Sequence, residues 1–135
     1  MTNVEDLCRD VVTSLDGAVA FGVIDLASGV LLASHQDPGA PPVLGKTAAA
    51  VLTDLLRGPH VTRLEQLARA RRPSAGASGP LFNELHVTSE NTHHFSKRIN
   101  GGRAAVVLVT RGTTSIGMAW AQLKSAIPRV EAQLL

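Results

Sequence analysis

Gly39 to Thr47 reads GAPPVLGKT and runs into AAAVLTDLL, the outline of a phosphate-binding loop opening a helix. That chemistry needs G-x-x-x-x-G-K-[ST], because backbone amides must curl around the phosphates while the lysine reaches in. Counting back from Gly45, the first glycine belongs at position 40, where Ala40 stands, and Gly39 is one place early. Pro41 and Pro42 each lack an N–H, so two amides of the cradle do not exist. The segment reads instead as a chain break followed by an ordinary helix start, with no nucleotide bound and no hydrolysis.

Histidines offer the next chemistry. His93 and His94 are adjacent on a predicted strand and point to opposite faces. With Glu90-Asn91 as a turn, His86 and His93 become diagonal neighbours on one face, where two imidazoles could share an ion, with Glu84 as a third ligand. The chain has no H-E-x-x-H and only one cysteine, Cys8, so no zinc-type ligand set is present. Solvated or interfacial histidines are the plainer reading, and no metal or cofactor is expected. There is no G-x-S-x-G elbow. Asp25 and Asp37 flank a hairpin and read as turn residues rather than an acid pair. No residue set compels an active site, so the chain is expected not to be an enzyme.

Arg57, Arg63, Arg69, Arg71 and Arg72 lie within sixteen residues, against Glu65 alone. Arginine makes bidentate contacts to carboxylates and phosphates, so this cluster is the candidate partner-binding surface, set against a merely solvated helix face. Charge is uneven along the whole chain. Residues 1–37 carry six acids and one base, and residues 38–135 carry twelve bases and five acids. Such a dipolar surface can steer a charged partner. With no tyrosine, three phenylalanines and one tryptophan, a base-stacking platform is not expected, and no nucleic-acid partner is assigned.

The elements that must position these residues follow from apolar spacing. Val4, Leu7, Cys8, Val11, Val12 and Leu15 form one helical stripe, capped by Asn3 or Thr2 and ended near Gly17. Cys8 lies in that stripe and reads as core. AVAFGVID and VLLASHQD are two strands joined by the tight turn LASG. Leu44, Ala48, Val51 and Leu55 mark a second helix, interrupted or kinked at Gly58-Pro59. Val61, Leu64, Leu67 and Ala68 resume the helical spacing. Residues 73–80, PSAGASGP, are a loop. LFNELHVT, HHFSKRI and RAAVVLVT are strands three to five, with Asn100-Gly101 as a two-residue hairpin turn. The fifth is nearly all apolar and so central. Ile116, Trp120, Leu123, Ile127, Val130 and Leu134 stripe a last helix, capped by Thr114 or Ser115 and kinked at Pro128. The order is αββαβββα, an α/β fold in one domain spanning residues 1–135. The acidic opening and strand-length apolar runs predict a cytoplasmic chain with no membrane span.

In this order, DGAVAFGVIDLASGVLLAS after the first helix, the long second helical region and GGRAAVVLVTRGTTSIGMAWAQLKSAIPRVEAQL resemble the Roadblock/LC7 family. That family includes roadblock-type dynein light chains and bacterial MglB-like regulators. The resemblance covers nearly the whole chain. The LLRGPHV break and the glycine-rich loop before strand three depart from its pattern. It implies an α/β/α sandwich with strand order 2-1-5-4-3. It further implies homodimers whose third strands pair edge to edge and whose second helices pack together. It implies no cofactor, and a role as non-catalytic adaptor or regulator of a small Ras-like GTPase or of a polarity or motility module. On that reading the dimer interface uses Phe82, Glu84, His86 and Thr88.

GVIDLASGVLLASHQDPGAPPVLGKTAAA also resembles the front half of GlcG/HbpS-type proteins, some of which bind haem or small ligands. The back half lacks that family's glycine-rich ending. His35 and His60 would be the first haem ligands on this alternative.

Overall fold

The computed structural model describes residues 3–40, 42–71 and 82–134. Helix α1 spans Val4–Ser14 and is capped by Asn3, whose side chain accepts from the Asp6 N–H at 2.8 Å. That bond satisfies an amide the helix itself leaves unpaired. Strands β1, Ala18–Asp25, and β2, Val30–Gln36, follow as the expected hairpin. Ser28 donates to Asp25 at 2.6 Å and holds its carboxylate below the ordinary range, and Gly29 takes φ +75° in the turn. Asp25 is thus a turn residue, as its position predicts.

Helix α2, Lys46–Arg57, and helix α3, Pro59–Arg71, are separate elements. Gly58 caps α2, and a Cβ there would stand 2.5 Å from the Asp54 carbonyl oxygen, so this break accepts only glycine. Strands β3, Glu84–Thr88, β4, Thr92–Ile99, and β5, Ala104–Arg111, then lead to helix α4, Ile116–Gln133. Ser115 caps α4, accepting from the Met118 N–H at 3.3 Å. The helix runs as one element through Pro128.

The five strands form one antiparallel sheet in the order β2-β1-β5-β4-β3. Core residues of α1 and α4 (Leu7, Val11, Leu123 and Val130 among them) pack with Phe21, Val23, Val106 and Leu108 on one face. Ala49, Leu52 and Leu56 of α2 pack with Ala20, Ile24, Val107 and Val109 on the other. The result is the α/β/α sandwich. The central strands β1 and β5 are buried on both faces, which is why their sequences are almost unbroken runs of apolar residues.

Some expectations need correction. The buried stripe of α2 is Ala49, Leu52 and Leu56, not Ala48, Val51 and Leu55; Val51 and Leu55 are 52% and 42% exposed. Leu44 is buried, but ahead of the helix, seated over Gly22, where a Cβ would stand 2.6 Å from its Cδ2. The third strand begins at Glu84 rather than residue 81, which leaves Phe82 just outside it. The turn at Asn100-Gly101 does use positive φ at both residues, +54° and +68°. Ile99 pairs with Ala104, however, so the loop has four residues and takes in Gly102 and Arg103. In α4, Ile116 is 45% exposed, while Ala119 and Ala126 join Leu123 and Val130 in the core. A register shift in the β1–β2 pair leaves Leu32 unpaired, so Leu31 and Ala33 face opposite sides of the sheet.

Candidate functional site

Among the described residues strand β3 is an edge: its one neighbour in the sheet is β4. The Arg98 N–H donates to the Asn83 carbonyl at 2.8 Å, and the Ser89 N–H to the Thr92 carbonyl at 2.9 Å. Hydrogen-bonded pairs alternate along an antiparallel ladder, so these bonds commit the odd-numbered residues of β3 to β4. The N–H and C=O groups of Glu84, His86 and Thr88 therefore point to the open side. Three of the four residues assigned to a dimer edge, Glu84, His86 and Thr88, thus share one strand and one face.

The side chains of that face form a short column. His86 stacks on Phe95 with centroids 4.7 Å apart and planes 5° from parallel. Phe95 meets Trp120 of α4 edge to face at 5.2 Å. The ring nitrogens His86 Nε2 and His93 Nδ1 lie 2.9 Å apart, the diagonal pairing that the Glu90-Asn91 turn predicts. Glu84 does not join them. Its carboxylate accepts from Lys97 Nζ at 3.2 Å and lies 3.8 Å from Lys124 Nζ. No cluster of three metal-ligating side chains occurs among the described residues. His94 points to the α2 face, where burial first, then the charge of His93, pushes its pKa below the ordinary imidazole value.

The basic residues divide. Arg57 ends α2, and Arg63, Arg69 and Arg71 lie exposed on α3; Arg72 lies outside the described residues. At about 100° per residue, Arg63 and Arg71 are about 80° apart and flank Leu67, Leu64 lies just beyond Arg71, and Arg69 is turned well away. Arg69 pairs with Glu65 at 3.7 Å. No residue of α3 is buried, and Leu64 and Leu67 are each 48% exposed. The apolar stripe of α3 is thus not covered by the sheet.

The GAPPVLGKT segment is tied to β2. Gln36 accepts from the Val43 N–H at 2.8 Å and donates to the Leu44 carbonyl at 2.9 Å. One amide of the would-be cradle is therefore committed to a side chain, and Gly45 serves as the α2 cap. His35 borders a polar cleft with Asp16, Asp37 and Arg111, and His60 is exposed in the first turn of α3. Cys8 is fully buried, and burial pushes its thiol up to about 12, so it is core and not a nucleophile.

Arg98 was not singled out by sequence. Its Nη1 donates to the Leu56 carbonyl at 2.9 Å and its Nη2 to the Gly102 carbonyl at 3.2 Å. The available signal was parity: on β4, Arg98 shares the α2-facing side with Ser96, which is fully buried.

Solved structures with the same architecture decide the fold. A Roadblock/LC7 domain from Streptomyces avermitilis superposes with a TM-score of 0.69 at 14% identity, covering 98% of both chains. The chain has the Roadblock/LC7 fold. An MglB structure described as having a tetrameric arrangement gives a TM-score of 0.71 at 19% identity, over 95% of this chain and 85% of that one. The gliding protein MglB from Thermus thermophilus gives 0.69 at 19% identity with the same coverage. No protein-family model and no curated protein matches the sequence. In Roadblock/LC7 terms the LLRGPHV departure is a full break between α2 and α3. Among the described residues no helix is long and apolar enough to cross a membrane.

Proposed function

We propose that two copies of this chain join through their β3 edges to form a non-catalytic adaptor or regulator of a small Ras-like GTPase or a polarity or motility module. The observation that carries the dimer is the open row of N–H and C=O groups at Glu84, His86 and Thr88. Such a row templates strand addition, and a second copy satisfies it. The exposed Val51 and Leu55 of α2 and Leu64 and Leu67 of α3 support the same reading, because an apolar face of this kind marks an interaction surface. The neighbours support the partner class: one is described as a gliding protein, another as an MglB with a tetrameric arrangement. The role asks for shape and charge, not for a reacting group or cofactor.

Arg57, Arg63 and Arg71 supply the positive rim of the partner surface, with Leu64 and Leu67 exposed on the same helical region. Their field speeds association and makes it salt-sensitive, since exposed charges are screened over about 10 Å at 0.1 M salt. The test is a pull-down from the native cell, followed by association rates of the captured partner with Arg63→Glu/Arg71→Glu. A rate unchanged across a salt series would reduce the arginines to a solvated face.

A further inference from the structure

We propose that His86 and His93 form a chelating site for a divalent transition metal of tetragonal preference, Cu²⁺ or Ni²⁺. Their facing ring nitrogens are 2.9 Å apart. With metal–nitrogen bonds of about 2.0–2.1 Å, two nitrogens at right angles on one ion lie about 2.9 Å apart, and two on a tetrahedral ion about 3.3–3.4 Å apart. That spacing, set here by the hydrogen bond between the rings, is also that of two adjacent corners of a square or octahedral centre.

The surroundings hold both rings in place. His93 Nε2 lies 3.2 Å from the Gly112 carbonyl oxygen, so this nitrogen carries the proton and Nδ1 presents its lone pair to the pair's centre. A backbone carbonyl on the far nitrogen is the usual orienting partner of a metal-bound imidazole. His86 is fixed by its stack on Phe95, and Phe95 by Trp120. On binding, the proton that bridges the two rings moves from His86 Nε2 to His86 Nδ1 through solvent. His86 stays neutral, and its Nε2 lone pair joins that of His93 Nδ1 at the ion. His86 is exposed, so water can fill the remaining corners. Glu84 is occupied by Lys97 and Lys124 and is not a ligand.

The two readings share His86 but use different parts of it: the metal takes its ring on the α4 face, the dimer edge its backbone, which His86→Ala leaves intact. It is tested by calorimetric titration of the tag-free full chain with CuCl₂, NiCl₂ and ZnCl₂ at pH 7.5. The expected result is one ion per chain, bound in the order copper, nickel, zinc. His86→Ala and His93→Ala each weaken nickel binding at least tenfold, and His94→Ala, on the opposite face, leaves it within twofold. Acidification weakens binding, because protons compete for the same lone pairs. Electron paramagnetic resonance of the copper-loaded wild-type chain gives an answer that needs no variant: two equatorial nitrogens are expected, and one or none overturns the site. Equal binding by wild type and both alanine variants, or equal loss in His94→Ala, overturns it as well.

Discussion

Arg98 on β4 and Leu56 in the last turn of α2 are joined by a hydrogen bond of 2.9 Å from guanidinium to carbonyl. A helix end leaves its last carbonyls unpaired, and a cation there also meets the negative end of the helix dipole. The same guanidinium reaches the Gly102 carbonyl in the β4–β5 turn. One side chain thus ties together the α2–α3 break, the sheet and a turn.

Arg98→Ala removes two charge-assisted bonds and leaves both carbonyls with no other side-chain partner among the described residues. The expected loss is about 2 kcal/mol in urea denaturation, within the usual range for hydrogen bonds to charged groups. An unchanged midpoint would mean that the α2 end is held by packing alone.

Gly17 has φ +86°, and a Cβ there would stand 2.0 Å from Thr114 Oγ1. Gly17→Ala therefore meets both backbone strain and a clash with the loop that leads into α4. A loss of about 2 kcal/mol or more is expected. Gly17→Ala/Thr114→Ala should recover the clash but not the backbone part. Full recovery in the double variant would show that the φ angle costs little here.

Cys8 gives the pH dependence. Its native thiol is pushed up from 9.0 to about 12, chiefly by burial, with Glu5 adding to the effect. Above about pH 9 the unfolded thiol ionises while the native one keeps its proton. The unfolded state then binds fewer protons, so stability falls with rising pH, by at most about 1.4 kcal/mol per unit from this group. Denaturation at pH 8, 9 and 10 should show that decline in the wild type and a shallower one in Cys8→Ala. Identical slopes would assign the decline to other groups.

Leu55 is 42% exposed on α2, outside the packed core of the single chain. Leu55→Glu should leave the thermal stability of a dilute, monomeric sample within about 0.5 kcal/mol, as exposed substitutions do. It should weaken self-association if α2 packs against its counterpart. Sedimentation equilibrium separates the two effects.

Where one face of an element is apolar and the other polar, the sequence pattern locates the core. The α1 stripe through Leu7, Cys8, Val11 and Val12 is such a case. So are β1 and β5, apolar in all but their last one or two residues, which leaves them no polar face to expose. Helix α2 is different. KTAAAVLTDLLR has apolar residues around much of its circumference, so Ala48-Val51-Leu55 and Ala49-Leu52-Leu56 both satisfy a helical period. The sheet selects the second. The bulge at Leu32 sits in the run Val30-Leu31-Leu32-Ala33, where no alternation exists to reveal a change of face. The edge residues Glu84, His86 and Thr88 were legible because period two is strict in β3. Arg98 was not, because its partners are carbonyls distant in sequence, which no residue pattern encodes.

The central claim is that the open backbone row of β3 joins two copies. Multi-angle light scattering at micromolar concentration, on wild type, His86→Pro and Val87→Pro, tests it most directly. Proline at His86 removes an N–H that faces the open side, whereas proline at Val87 removes one committed to β4. The account predicts a wild-type dimer, a folded His86→Pro monomer by circular dichroism, and a destabilised fold in Val87→Pro. A monomeric wild type, or a His86→Pro chain that stays fully dimeric, would contradict it.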